Sequence, residues 1–371
     1  MFQAMLWAQP PPRYVRPMPT DPTKPRTLNR PEPILSHSAQ PVDQDHSPDQ
    51  AAQRLRDGEV LIVTDHFSTG AEILSRLHTL LGPLPEQARY MEKKEFKRTF
   101  RQAALRLIAP IEDHRLALVD ARPIGFLAQL YPEHPRFFLP FLVIQELHGA
   151  WLWFEEGTHL AVLGHRIHPY FGTYVPNRTT HLELFGTWLS QYTGPRTQAV
   201  DVGTGSGVLA LMLAWGGFER VLATDNNPNA IESVERQLAR SKPRPPVELD
   251  LCDLLGSDPT PNDLIVFNPP WMQGEVDDLL DQALYFEPGL FERFFDQALE
   301  KLAPDGRVVL VFSNVIQLVQ PNVPHPILSE LDRARFRLVS KLQRKVKGSP
   351  KPGGGRRRTR EKVEVWELAR A

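Results

Sequence analysis

Residues 199–209 read Ala199-Val200-Asp201-Val202-Gly203-Thr204-Gly205-Ser206-Gly207-Val208-Leu209, and they carry the strongest structural signal in the chain. An apolar run typical of a buried strand leads into three glycines at alternate positions, and the helical apolar pattern Val208–Trp215 follows. Glycine adopts positive φ and lets a ligand approach the backbone closely, and the amino terminus of a helix presents free N–H groups. The run therefore predicts a buried strand, a ligand-binding turn and a helix.

Strands and helices alternate on both sides of this run. We expect helices over Thr179–Tyr192, Val208–Trp215, Pro228–Arg240 and Pro288–Leu302, and strands over Ala199–Val202, Arg220–Thr224, Val247–Leu251, Asp263–Phe267 and Arg307–Phe312. This order predicts an α/β fold with a parallel sheet that is covered on both faces. Two further strands, Phe336–Lys345 and Lys362–Ala369, have no helix between them, which predicts an antiparallel hairpin at the edge of the sheet.

The amino-terminal half divides into a tail and a smaller α/β domain. Residues 1–50 hold 11 prolines and few apolar side chains, so we expect a disordered, partly polyproline-II tail. Residues 51–178 have mixed helix and strand patterns, with a strand expected over Gly125–Leu130 and a buried helix over Phe137–Phe154. The carboxyl-terminal domain then covers residues 179–371.

Composition indicates a soluble globular protein, with 41% apolar and 23% charged residues among 371. The single cysteine, Cys252, excludes an intrachain disulfide framework and favours a reducing compartment. The sequence has no run of 18 apolar residues and no convincing secretory signal, so we expect a cytoplasmic protein without membrane contact. The histidines have no metal-ligating spacing, and we expect no metal site.

Charge is distributed unevenly, which indicates an anionic partner. The net charge is −1 overall, but residues 333–371 carry +11 and residues 1–332 carry −12. The loop 348–360, Gly348–Arg360, has the sequence GSPKPGGGRRRTR. It is interpreted either as a flexible basic segment that contacts RNA phosphates or an acidic protein, or as a disordered solubilising loop.

The glycine spacing distinguishes two classes of ligand. A dinucleotide fingerprint, G-x-G-x-x-G, would require a third glycine at the position of Val208. The observed spacing is G-x-G-x-G, with Asp201 just before the turn, and it suits an adenosyl sulfonium, which has no phosphate and carries a cationic amino group. A tight structural turn without a ligand is the alternative interpretation.

Acidic residues follow the next two expected strands. Asp225 could accept hydrogen bonds from both hydroxyls of a ribose. Alternatively, it could cap the helix that begins at Pro228, a role that it could share with Asn227. Asp253 could accept a hydrogen bond from the amine of an adenine, although a solvated loop aspartate explains it equally well.

The run Asn268-Pro269-Pro270-Trp271 follows a further buried strand and indicates the type of reaction. The two prolines fix the backbone, and the carbonyl oxygen of Pro269 stays free to accept a hydrogen bond. Together with the side-chain oxygen of Asn268, it forms a pair of acceptors suited to a planar –NH2 group, on which Trp271 could stack. The alternative is that the prolines only terminate the strand.

On these motifs, residues 179–371 resemble a class I S-adenosylmethionine-dependent methyltransferase of the branch that carries an Asn-Pro-Pro-aromatic motif. Phe171–Glu183 and the core that follows are similar to release-factor glutamine methyltransferases and to small-domain rRNA guanine-N2 methyltransferases. The segment Val175–His181 matches the Pro-Arg-Pro-x-Thr-Glu segment of the release-factor enzymes in part, and Trp271 replaces the commoner Tyr or Phe. The resemblance covers about half the chain and implies a Rossmann-like sheet.

The resemblance also implies a role for each motif residue. Asp201, Gly203 and Gly205 would bind the methionine end of the cofactor, S-adenosyl-L-methionine, while Asp225 would hold the ribose and Asp253 the adenine amine. The remaining implied cofactor-binding residues are Thr204, Gly207, Asn226 and Asn268. The implied catalytic residues, which position the accepting nitrogen, are Asn268, Pro269, Pro270 and Trp271.

The expected function is in-line methyl transfer to a planar nitrogen of a macromolecule, either a glutamine amide in protein or an exocyclic amine in RNA. Orientation and desolvation would drive this reaction without a dedicated general base. The alternatives are a non-catalytic nucleic-acid-binding protein on the same fold and a small-molecule methyltransferase. A nicotinamide-dependent oxidoreductase is disfavoured by Val208 and by the two prolines.

Overall fold

The computed structural model describes residues 27–82, 90–176, 178–275, 283–346 and 360–371. Two α/β units follow one another along the chain, each with its own main sheet. Within these ranges, no helix has the length and apolar character needed to cross a membrane.

The first unit is a five-stranded sheet packed against helices, as far as the described residues show. Its elements are β1 (Gln40–Val42), α1 (Pro48–Arg56), β2 (Leu61–Val63), α2 (Phe67–Leu80), α3 (Tyr90–Ala104), β3 (Leu107–Glu112), β4 (Arg115–Leu116), α4 (Phe126–Leu130), β5 (Arg136–Pro140) and α5 (Phe141–Glu156). β1, β2 and β3 run parallel, and β4 and β5 each pair antiparallel with β3. Large aromatic side chains, such as Phe126, Phe137 and Phe141, fill the core.

The structure corrects three expectations for this unit. The predicted tail, residues 1–50, is too long, because Gln40–Val42 pairs with β2 and the helix α1 begins at Pro48; residues 1–26 lie outside the described residues. Gly125–Leu130 contains the helix α4, not a strand, since so short an apolar run shows no usable periodicity. The predicted helix Phe137–Phe154 begins only at Phe141, because the preceding residues pair with β3.

A small hairpin connects the two units. It consists of β6 (Thr158–Leu160) and β7 (His165–Ile167). Leu160 and Ile167 are buried in the core of the second unit, whereas Tyr170 and Phe171 are buried in the core of the first. The chain therefore contributes to the second core and then returns to the first core, and both contributions come before the domain boundary that the sequence predicts at residue 178.

The second unit contains the alternating elements that the sequence predicts, and also short elements that it does not predict, at Met272–Gln273, Tyr285–Phe286 and Val315–Val319. They are α6 (Thr180–Gln191), β8 (Gln198–Val202), α7 (Val208–Trp215), β9 (Arg220–Asp225), α8 (Pro228–Arg240), β10 (Val247–Leu251), β11 (Asn262–Phe267), β12 (Met272–Gln273), β13 (Tyr285–Phe286), α9 (Leu290–Lys301), β14 (Leu302–Ser313), α10 (Val315–Val319), α11 (Pro326–Asp332), β15 (Phe336–Lys345) and β16 (Lys362–Arg370). Its main sheet has the order β10-β9-β8-β11-β14-β16-β15. The first five strands are parallel, and β16 lies antiparallel between β14 and β15. The predicted parallel sheet with an antiparallel carboxyl-terminal hairpin is confirmed.

Both faces of this sheet are buried, as the apolar strands require. Alternate residues of β8 point to opposite faces: Ala199 joins one apolar cluster, and Val200 and Val202 join the other. Because the five parallel strands end at one edge of the sheet, the loops after β8, β9, β10 and β11 meet there.

Candidate active site

The glycine-rich turn links β8 to α7 and is tied to the neighbouring strand. All three glycines have positive φ, as their residue type allows. The backbone N–H of Thr204 donates a 2.8 Å hydrogen bond to the carbonyl of Thr224 at the end of β9. A Cβ added at Gly205 would meet no atom within 4 Å. The turn therefore has a fixed backbone with open space above it.

Asp201 is buried below this turn and holds it together. Its Oδ2 accepts hydrogen bonds from Oγ1 of Thr204 (2.7 Å) and from the backbone N–H of Ala210 on α7 (2.9 Å). Burial raises the pKa of its carboxyl to about 7, although these two hydrogen bonds oppose the rise. A cationic group near Asp201 would favour its ionised form.

Asp225 follows β9 and contacts the same turn. Its Oδ2 accepts from the backbone N–H of Gly205 (2.9 Å), and its Oδ1 accepts from the N–H of Asn227 (2.9 Å). Burial raises the pKa of this carboxyl to about 6. The side chain that caps α8 is that of Asn227, which accepts from the N–H of Asn229, so capping does not occupy Asp225. A carboxylate has about four acceptor sites, which is more than these backbone contacts occupy, so Asp225 can also accept a hydrogen bond from a ligand.

Asp253 lies at the same edge of the sheet but on the surface. The loop that carries it begins beside Asp225, because the N–H of Cys252 donates to the carbonyl of Asp225 (3.0 Å). Oδ2 of Asp253 lies 3.6 Å from Nε of Arg293 on α9, and its side chain is 45% exposed. Asn226 is partly exposed between these two loops. The edge thus brings the three acidic positions and Asn226 together, with Asp253 the most solvated of them.

The Asn-Pro-Pro-Trp run lies next to the glycine-rich turn. β8 and β11 are neighbours, with Val202 paired to Phe267, so Gly203 and Asn268 are the next residues on adjacent strands. The indole Nε1–H of Trp271 donates to Oδ1 of Asn268 (3.2 Å) and to the carbonyl of Val311 (3.3 Å). Trp271 therefore fixes the orientation of the Asn268 amide, a contact that the sequence did not predict.

His181 is a further residue of this region that sequence reasoning missed. It lies on α6, is only 4% exposed, and its ring stands perpendicular to that of Trp271 with 5.5 Å between the centroids. Burial lowers its pKa to about 4, which keeps the imidazole neutral near pH 7. Its ring nitrogens form no hydrogen bond with the residues that the structure describes. Only its place at the end of the segment Val175–His181 pointed to it, because Trp271 is distant in sequence.

Comparisons with known proteins give matches over this unit. Residues 184–323 match the family model described as "Methyltransferase small domain". The ribosomal protein L11 methyltransferase of Heliobacterium modesticaldum is 31% identical over 129 residues, which cover 35% of this chain and 35% of the relative. The tRNA1(Val) (adenine(37)-N6)-methyltransferase of Proteus mirabilis is 26% identical over 196 residues, covering 46% and 73%. The release factor glutamine methyltransferase of Koribacter versatilis is 35% identical over 127 residues, covering 30% and 44%.

The predicted resemblance to S-adenosylmethionine-dependent methyltransferases is confirmed for the domain that these matches cover. The sheet order and the family match together give the carboxyl-terminal unit the Rossmann-like fold of class I methyltransferases. The chain spans only about a third of the length of the L11 relative.

Proposed function

We propose that this chain is an enzyme that transfers a methyl group from S-adenosyl-L-methionine to a planar nitrogen of a macromolecule. The observation that carries the proposal is the β8–β11 register, which puts the open glycine turn beside Asn268. A cofactor on the turn and an acceptor on Asn268 would therefore face one another at the same edge of the sheet.

The residues around the turn fit the cofactor. The carboxyls of Asp201 and Asp225 have pKa values that burial raises. A ligand that carries positive charge would stabilise the ionised form of both. S-adenosylmethionine supplies a methyl group on a cationic sulfur and also carries an ammonium group. In this proposal, Asp201 and the glycines hold the methionine end, Asp225 holds the ribose, and Asp253 holds the adenine amine.

The acceptor group would be held by hydrogen bonds. Oδ1 of Asn268 and the carbonyl of Pro269 would accept from the two N–H bonds of an –NH2 group, so that the lone pair of its nitrogen faces the cofactor. Pro270 keeps this backbone rigid, and Trp271 holds the Asn268 side chain. The rate would come from orientation in a desolvated site.

A macromolecular substrate is supported by the relatives, which are named for a ribosomal protein, a tRNA and a release factor. We propose that the first unit recognises this substrate. We also propose that the protein acts in a reducing compartment such as the cytoplasm, since Cys252 is a free thiol. The basic loop 348–360, apart from Arg360, lies outside the described residues, and its contact with RNA stays a prediction.

Two measurements test the proposal. Calorimetric titration with S-adenosylmethionine, S-adenosylhomocysteine and NAD should show binding of the first two. The protein is then incubated with a lysate and with cofactor that is tritiated on the methyl group. Digestion with RNase or with protease should show which polymer is labelled. Binding of NAD alone would contradict the proposal, and so would labelling of neither polymer.

Paired variants separate the two halves of the site. We expect Asn268→Ala to bind the cofactor almost normally and to lose methyl transfer. We expect Asp225→Asn to weaken cofactor binding itself. Wild-type turnover by Asn268→Ala would contradict the role proposed for that residue.

A further inference from the structure

A cavity of about 620 Å³ lies at the opposite edge of the second sheet, away from the candidate active site. Its walls come from the hairpin β6–β7, the end of α7, the end of α8 and the loop 241–246 that leads into β10. The hairpin is joined to α8 through Gln237, which accepts from the N–H of His168 (3.1 Å) and donates to the carbonyl of Arg166 (3.3 Å). The cavity therefore has walls that are held together by hydrogen bonds.

The lining of the cavity is strongly basic. Arg166, Arg240, Lys242 and Arg244 contribute to it, and no Asp or Glu does. None of the four forms an ion pair with a carboxylate in the described ranges. They belong to the part of the chain, residues 1–332, that carries a net charge of −12. Four unpaired cations around one concavity on an otherwise acidic body indicate an anionic ligand.

Two of the guanidinium groups are held in place by their neighbours. Arg166 is anchored because its Nη1 donates to the carbonyls of Glu156 (3.1 Å) and Gly157 (2.8 Å). Arg240 lies over the ring of Phe154, with its Cζ 4.7 Å from the ring centroid. The planar fork of an arginine matches the oxygens of a phosphate.

An exposed aromatic ring lies among these cations. Trp215, at the end of α7, is 47% exposed, although a tryptophan of a folded core is usually buried. His165 packs edge-on against it, with 4.4 Å between the ring centroids, which limits its rotation. A fixed and exposed indole beside unpaired cations is the combination that binds a base together with its phosphates.

We propose that this cavity binds a single-stranded segment of RNA, with phosphates on the arginines and Lys242 and a base stacked on Trp215. An acidic protein would use the cations but would leave the indole without a matching group, and the observations therefore favour RNA.

The cavity lies within reach of the candidate active site along α8. This helix begins beside Asp225 and ends at Arg240, and its 13 residues span about 20 Å. At the ~3.4 Å rise of a base-stacked strand, about six nucleotides would cover that distance, and an extended strand would need fewer. The bound RNA would then extend to Asn268, where one of its bases would accept the methyl group. This acceptor role rests on the proposed function, whereas RNA binding itself does not.

Fluorescence anisotropy with a fluorescein-labelled oligouridylate of about 12 nucleotides, roughly twice that span, tests the proposal without cofactor. For Lys242→Glu/Arg244→Glu we expect about tenfold weaker binding and a flatter dependence on salt, because two phosphate contacts are lost. For Trp215→Leu we expect weaker binding with an unchanged salt dependence, because stacking and not charge is lost.

Lys242→Arg/Arg244→Lys is the matched control, since it changes the same two exposed residues of the cavity but keeps both positive charges. The proposal is overturned if this control weakens RNA binding as much as the charge-reversal variant does. It is also overturned if a labelled polyglutamate peptide binds more tightly than the RNA. Titration of each variant with S-adenosylmethionine reports on the proposed function separately and shows that the variant is folded.

Discussion

Trp271 stands where the motif more commonly has Tyr or Phe, and the indole gives this position an additional function. A phenylalanine at this position would have no N–H, whereas the indole N–H here is shared between Asn268 and the carbonyl of Val311. Since the Asn268 oxygen has two lone pairs, one remains for a substrate. Trp271 is therefore best described as a positioning residue that acts through Asn268.

For Trp271→Phe we expect kcat to fall roughly 10- to 100-fold, because Asn268 loses its fixed orientation, while the affinity for cofactor stays unchanged. Steady-state kinetics and calorimetry would measure the two effects. Trp188→Phe is the matched control, because it also removes an indole hydrogen bond, to Glu367 at 3.1 Å, but away from the site. Equal losses of kcat in both variants would show a structural effect only.

The raised pKa values of Asp201 and Asp225 predict a pH dependence of folding stability as well as of cofactor binding. The folded-state pKa values of Asp201 and Asp225 are about 7 and about 6, both above the ordinary value near ~3.9. The folded protein therefore holds more protons than the unfolded chain between about pH 4 and pH 7, and its stability falls as the pH rises through that window.

A cationic cofactor favours the ionised carboxylates, so its dissociation constant should fall as the pH rises from about 5 to 7, by roughly tenfold. Calorimetry in buffers of different ionisation enthalpy would detect the protons that are released on binding. The Asp225→Asn variant should bind more weakly, with a smaller pH dependence. A dissociation constant that is the same at both pH values would contradict the assignment of a cationic ligand to these carboxyls.

The glycine-rich turn is the element on which the site depends. Gly205 and Gly207 both have positive φ, at +54° and +79°, but their surroundings differ. A Cβ at Gly205 would lie in open space, whereas one at Gly207 would lie 2.8 Å from Cγ2 of Val234 on α8. Gly207 is thus required by packing as well as by backbone conformation.

We expect Gly205→Ala to lower the free energy of unfolding by about 1 kcal/mol through backbone strain alone. Gly207→Ala should cost about 1 to 3 kcal/mol more, because Val234 and α8 must move. Urea denaturation of the two variants measures the difference. The reverse order of stability would show that α8 does not pack closely on the turn.

At the scale of the whole molecule, α8 joins the two units. Asn229 at its start is fully buried, and its Nδ2 donates to the carbonyls of Phe171 (2.9 Å) and Asn29 (2.8 Å), while its Oδ1 accepts from the N–H of Asn29 (2.7 Å). Further along α8, Oγ of Ser233 accepts from the N–H of Tyr170 (3.0 Å). The amino-terminal unit is therefore held on the helix that begins beside Asp225.

For Asn229→Ala we expect a loss of about 2 to 3 kcal/mol in the free energy of unfolding, since several buried polar groups lose their partners. Ser233→Ala, the control, removes one hydrogen bond of the same contact and should cost about 1 kcal/mol. Limited proteolysis should cut the segment around Asn29 faster only in the first variant. Equal protection from proteolysis in both variants would contradict the role of Asn229 in holding the amino-terminal unit on α8.

Local signals in the sequence predicted the second unit well and the contacts between units poorly. Val208–Trp215 and Pro228–Arg240 are helices with the predicted bounds, because a glycine and a proline mark their starts. The prediction of a strand over Gly125–Leu130 was wrong, because the apolar residues of this segment pack against residues distant in sequence, and such contacts leave no local pattern. His181 and Asn229 were missed for the same reason, since their partners are distant in sequence.

The place of β16 between β14 and β15 has a consequence for how the protein is made. A ribosome delivers β15 before β16, yet β15 pairs with β16 and has no other partner strand in the described sheet. During translation the backbone N–H and C=O groups of β15 must therefore stay without a partner strand until Lys362–Arg370 leaves the exit tunnel. A stop codon ahead of position 362 would leave the nascent chain with an open sheet edge and a target for chaperones.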